Sequence, residues 1–193
     1  MHSLMNGGIT LTDQEKAVKN VTEFLMHKTK RILLLKGYDN EPKLKVALSC
    51  LNNEFDKGII RTSSMSNISE FINLAFERKL LPHNVKSTTT YKLGNMTVNI
   101  NSYSTHTASN PKGSNDTFTL FFPVQSVLDD SNRYEKFLEE INNSDSRKLI
   151  LICTNEWGIE NWDIETHVDD VFFYDVENDN PQLMKNLRNN GAI

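Results

Sequence analysis

No apolar run in this 193-residue chain approaches the roughly 20 residues that cross a bilayer, and the polar start MHSLMNGGIT lacks a charged-then-apolar signal layout. No membrane partner is expected, and the expected compartment is the cytoplasm. Only two cysteines are present. Cys50 falls on the apolar side of an expected helix and Cys153 inside an expected strand, which favours two buried thiols over a disulfide. His27, His83, His106 and His167 are widely separated. With no H-E-x-x-H and no Cys/His pair, zinc has no ligand set. No G-x-S-x-G elbow surrounds Ser63, Ser64 or Ser66, so the usual setting of a nucleophilic serine is missing.

What is present is the composition of a folded protein: 38% apolar and 24% charged residues, in a length that suits one hydrophobic core. A single domain over 1–193 is expected. The net charge of −4 conceals an asymmetry, since residues 1–100 carry 14 Lys and Arg against 9 Asp and Glu, and residues 101–193 carry 7 against 16. The basic half suits a polyanion and the acidic half a basic partner, although in one folded domain the halves are expected to interleave.

Helical and extended patterns take turns along the chain. Thr12 to Glu15 form a capping-box pattern, and Val18, Val21, Phe24 and Leu25 follow at helical spacing, predicting a helix over about 13–28. Residues 31–36 read as a buried strand. Pro42 suits the first turn of a helix whose apolar face is Leu44, Ala47, Leu48, Leu51 and Phe55. A short strand at 58–61 and a helix from about Asn67 follow. Tyr91 to Leu93 and Met96 to Ser102 then flank Gly94-Asn95, a hairpin signal. Residues 104–116, STHTASNPKGSND, are rich in turn formers and predict an exposed, mobile loop. Strands at 118–122, 148–153 and 171–174 alternate with helices at 132–141 and 180–187.

Near-continuous apolar strands alternating with helices predict a three-layer α/β fold: a mostly parallel sheet, helices on both faces, and a β-hairpin insertion with its loop at about 90–116. Glycine after the first strand, Arg61 after the second, then FTLFF, LILICTN and VFFYDV together resemble a P-loop NTPase core of the AAA-like group, over roughly residues 30–190. The resemblance implies phosphate binding by Gly37, Lys43 and Lys45, and a sensor-like role for Asn155 at the end of the fourth core strand. Departures from that family affect its chemistry directly. A Walker A loop is G-x-x-x-x-G-K-[ST], whereas Gly37 to Leu44 reads GYDNEPKL, with Pro42 at the second glycine and Leu44 at the magnesium-binding hydroxyl. Proline restricts the amide nest that cradles phosphates. Where the third strand should end in acids, Phe121, Phe122 and Pro123 stand, so magnesium loses its protein partners and hydrolysis is not expected.

Three function classes remain. The first is a non-hydrolysing, NTPase-like module that binds nucleic acid or a protein, needs no cofactor, and uses Arg61, Tyr91, Lys92, Tyr103 and Lys112, with Trp157 and Trp162 as interface anchors. The second is a Mg²⁺-dependent phosphoryl-transfer enzyme or nuclease built on the late carboxylates, with Asp169 and Asp175 as candidate catalytic groups. The third is a structural subunit whose acidic half docks a basic partner.

Overall fold

Strands that are apolar on both faces demand two covering layers. The computed structural model, which describes residues 11–104, 110–127, 130–153 and 163–193, supplies them. Seven strands form one sheet: β1 (Ile32–Lys36), β2 (Lys57–Thr62), β3 (Thr90–Leu93), β4 (Met96–Ser102), β5 (Thr117–Phe121), β6 (Lys148–Ile152) and β7 (Asp170–Phe173). Their order is β3-β4-β2-β5-β6-β1-β7, and every pairing is parallel except that of β3 with β4. The expected hairpin is therefore part of the sheet, because β4 extends it alongside β2.

Alternation assigns the faces. Leu33, Leu35, Phe118, Leu120, Ile150 and Ile152 point to one side, where α1 (Asp13–Met26), α2 (Asn40–Glu54), α3 (Ile68–Ala75) and α5 (Pro181–Asn189) cover them. Leu34, Phe121, Leu149 and Leu151 point to the other, under α4 (Ser131–Asn142) and two 3₁₀ turns, Gln125–Val127 and Ile164–His167. Both cysteines are buried and free, as expected. Gly58 has no substitute in β2, because a Cβ there would lie 2.1 Å from the Phe118 ring.

Helix α1 begins where its capping box predicts. Thr12 Oγ1 accepts from Glu15 N at 3.1 Å, and Glu15 Oε2 accepts from Thr12 N at 2.8 Å. It ends at Met26, short of the expected 28. The reason is Lys148, 4% exposed, whose ammonium donates to the carbonyls of Phe24 (2.9 Å), His27 (2.6 Å) and Lys30. Phe24 O, which also accepts from the capping His27 N at 3.1 Å, and the carbonyls of His27 and Lys30 beyond the helix converge on this ammonium. The expected mobile loop also differs in part. Residues 105–109 lie outside the described residues, but Arg61 Nη2 donates to Pro111 O at 3.1 Å and Asp145 N to Lys112 O at 2.8 Å, so the stretch after them is tied to the sheet and α4.

The first turn of α1 is held across the whole chain. Asp13, 3% exposed, accepts from Asn178 N (2.7 Å), Asn178 Nδ2 (2.9 Å), Asp179 N (3.2 Å) and Lys16 Nζ (3.0 Å), while Asp179 accepts from Gln14 N at 2.7 Å. Burial alone would raise the Asp13 carboxyl, but these donors outweigh it and lower it to about 2. A depressed carboxylate stabilises the fold above its unfolded value, and that stabilisation is lost as pH falls through the folded value. Asp13→Ala should therefore lower stability by about 2 kcal/mol at neutral pH. Urea midpoints should fall between about pH 4 and 2 in the parent and stay flatter in the variant. Equal pH dependence of the two proteins would refute this linkage.

Candidate functional site

At the carboxyl ends of β1 and β6, three segments meet at one buried cation. Gly37, with φ +136°, turns the chain out of β1 so closely past β7 that a Cβ would lie 2.5 Å from Tyr174 O. Only glycine fits, and the reason is packing against the chain after β7. Helix α2 then starts at Asn40, three residues later, so residues 40–42 already lie in the helix rather than in an open loop. Lys43 sits in this first turn, is completely buried, and donates its ammonium to the carbonyls of Gly37 and Cys153. Its neighbour Leu44 is packed in the core.

The surroundings of that helix start are acidic. Asp39 precedes it, accepting from Asn180 Nδ2 at 3.0 Å, and Glu41 is exposed in its first turn. Asn40 adds a buried Oδ1 without a hydrogen-bond partner. Carboxylates already complement the positive end of the helix. Lys45 is half-buried on α2, and Lys36 pairs with Glu165 at 2.9 Å. Beyond β5, Phe122 is fully buried edge-on to Phe71, 5.4 Å between ring centroids, and a cis peptide leads to Pro123.

The fold is P-loop NTPase-like. At TM-score 0.52 the chain is similar to the large terminase of a thermophilic bacteriophage, with 11% identity over 84% of this chain and 46% of that one. At TM-score 0.53 it is similar to a Sulfolobus solfataricus SWI2/SNF2 ATPase core solved in complex with dsDNA, with 14% identity over 81% of this chain and 35% of that one. The chain thus spans less than half the length of either. No protein-family model matches it, and no curated protein matches it in sequence.

The remaining candidates are dispersed. Asp169 accepts from Arg31 N (2.7 Å) and Ile32 N (2.8 Å), capping the start of β1, while Asp175 turns the chain after β7 by accepting from Glu177 N at 2.9 Å. Six extended residues separate them by about 20 Å, so they cannot share one metal ion. Among the described residues no group of three His, Cys, Asp or Glu is placed to hold a metal. Arg61, expected on a binding surface, is only 5% exposed and pairs with Glu140 at 2.7 Å. Tyr103 is 8% exposed, packed against Phe121 and Phe137, with its hydroxyl near Ser126 Oγ at 2.8 Å. It belongs to the core. Asn155, Trp157 and Trp162 lie outside the described residues.

Tyr91 and Lys92 lie on edge strand β3, whereas Lys112 lies beside the end of α4, its carbonyl accepting from Asp145 N at 2.8 Å; all three belong to a stretch that composition by halves hides. Between Glu77 and Asp116 the sequence has no acid at all, yet it carries Arg78, Lys79, Lys86, Lys92 and Lys112. All five are exposed, and among the described residues none is ion-paired. Tyr91 is half-buried, its hydroxyl accepting from Lys86 N at 2.6 Å, and Lys92 reaches Asn95 O at 2.7 Å. Four of the five cations precede or lie on the β3–β4 hairpin, at one edge of the sheet. The acids Asp163, Glu165, Asp169, Asp170, Asp175, Glu177 and Asp179 gather around β7, the opposite edge. Six strand spacings of about 4.8 Å put these edges roughly 29 Å apart. As expected from sequence, the two halves interleave: Lys30 pairs with Asp170 at 2.8 Å, Lys36 with Glu165 at 2.9 Å and Arg61 with Glu140 at 2.7 Å, so among the described residues the acids around β7 are partly paired while the hairpin-edge cations are not.

Lys43→Met keeps the length of the buried side chain but strands two carbonyls, and should cost about 1–3 kcal/mol in urea unfolding. An unchanged midpoint would show that the ammonium is not holding β1 to β6.

Proposed function

We propose that this chain is a P-loop-like module that does not hydrolyse nucleotide and binds nucleic acid along the β3–β4 edge. The observation that carries the reading is the run of exposed cations Arg78, Lys79, Lys86 and Lys92 in a sequence stretch without acids, none of them ion-paired among the described residues. Phosphate backbones are bound chiefly by such cations, with release of condensed counterions, and the half-exposed Tyr91 adds an aromatic face for an unpaired base. The SWI2/SNF2 core of similar fold was solved with dsDNA, which supports nucleic acid as the class of partner.

Nucleotide turnover is disfavoured by the early start of α2 and by Lys43, whose charge is engaged by Gly37 O and Cys153 O. Leu44 offers no hydroxyl, and buried Phe122 stands where an acid would hold magnesium. In this reading Gly37, Lys43 and Lys45 form a degenerate Walker A segment that serves the fold.

Fluorescence anisotropy with 20-nucleotide single- and double-stranded DNA tests the partner. Affinity should fall on the order of 10²-fold between 50 and 200 mM salt, and each of Lys79→Ala, Lys86→Ala and Lys92→Ala should lower the salt slope by about one. A change of twofold or less would rule out nucleic acid and leave a protein partner. Calorimetric titration with Mg-ATP and Mg-GTP at low salt should give no saturable heat. Saturable binding would mean that the helix start opens to accept phosphates.

A further inference from the structure

Beneath the carboxyl-terminal end of α4 lies a cavity of about 200 Å³, away from the β1–α2 turn. Arg61, Thr119 and Phe121 line it from the sheet, Pro111 and Lys112 from the preceding loop, and Glu139 and Glu140 from the helix. Arg61 carries the chemistry. Its Nη2 is taken by Glu140 and Pro111 O, but Nη1 is buried with no hydrogen-bond partner. Beside it in the β2–β4 register, and therefore on the same face, Asn101 is 1% exposed and its Oδ1 also lacks a partner. A buried charged donor and a buried acceptor left unmatched together are costly. Asn101 does not line the cavity, but Arg61 does, and a guest bearing an acceptor can relieve its guanidinium.

The charges around the cavity select among guests. Glu139, Glu140 and the carboxyl end of α4, whose last turn has no basic residue, form a negative wall. Arg61 and Lys112 form the positive side. A dianion such as phosphate would meet both glutamates, and a simple cation would meet the guanidinium. A small zwitterion satisfies both sides, and the volume lies below the roughly 300 Å³ at which sites for drug-sized ligands begin.

We propose that this cavity binds a free amino acid, its carboxylate on Arg61 and Lys112 and its ammonium toward Glu139 and Glu140. The site is independent of nucleotide or nucleic acid.

The test is calorimetry and thermal-shift titration of the full chain with glycine, L-serine, L-leucine, L-aspartate and L-lysine, using acetate, methylammonium and inorganic phosphate as comparison probes. At least one amino acid should bind saturably at millimolar concentration or below, and none of the comparison probes should compete at equal concentration. Arg61→Lys retains a cation for Glu140 but loses the fork, and should weaken binding tenfold or more. Should that variant fail to fold, Glu139→Lys at the exposed rim provides the second reading and should weaken binding by a similar factor. Equal binding of acetate or phosphate would make this an anion site and overturn the proposal. Absence of binding by every amino acid would assign the cavity to ordered water and overturn it equally.

Discussion

A buried ammonium must be surrounded by acceptors or the fold cannot keep it. Two lysines impose this constraint at opposite ends of the sheet. Taking such an ion out of water costs several kcal/mol, and here backbone carbonyls offset it. Lys43 gathers Gly37 O and Cys153 O at the carboxyl ends of β1 and β6, fixing where α2 starts. Lys148 gathers the carbonyls of Phe24, His27 and Lys30 at the amino end of β6, fixing where α1 stops, and lies 4.7 Å from the Phe24 ring centroid. Burial lowers the affinity of Lys148 for its proton, and nearby Arg147 lowers it further. The carbonyls at the negative end of α1 are its compensation. Both helices that cover the central strands on this face are thus positioned by cations as well as by apolar contact.

Much of the architecture was legible because it is written locally. The capping box at Thr12, the Gly94-Asn95 turn and the apolar strands each depend on residues a few positions apart, and each appears within about two residues of its expected place. The candidate site was less legible because its contacts are not local. Lys43 finds Cys153 across 110 residues, and Asp13 finds Asn178 across 165. A lysine following a glycine turn has the same local pattern whether its ammonium faces phosphate or carbonyl oxygen. Arg61 and Tyr103 looked like surface groups for a related reason. Whether an alternating polar residue is exposed depends on what covers that face, and only the strand order places both residues under α4 and its flanking turns.

The region after β1 has the form of an anion site with its anion already built in. A helix start concentrates unpaired amides and positive potential, and in a phosphate-binding turn the ligand answers both. Here Asp39 and Glu41 supply the negative charge, while Lys43 turns inward to carbonyls rather than outward to solvent. Asp39 makes no hydrogen bond to the helix-start amides and Asn40 Oδ1 stays without a partner, so the compensation is one of charge alone. Charge compensation of this kind lowers the penalty that an empty phosphate cradle would carry.

Once the central turn is closed, the chemistry available to a partner moves to the edges, and strand order decides what they offer. The sequence halves are mixed in the sheet, where Lys30 and Lys36 answer Asp170 and Glu165, but β3 and β4 lie at the end of the sheet opposite β7 and its acids. Across roughly 29 Å, about three and a half Debye lengths at physiological salt, the acids near β7 scarcely screen the cations of the hairpin edge. On the proposed reading, such an arrangement would turn an approaching polyanion toward that edge before contact. The net charge of −4 therefore does not describe the hairpin edge, whose cations have no acid within their own stretch of sequence while several acids around β7 are already paired.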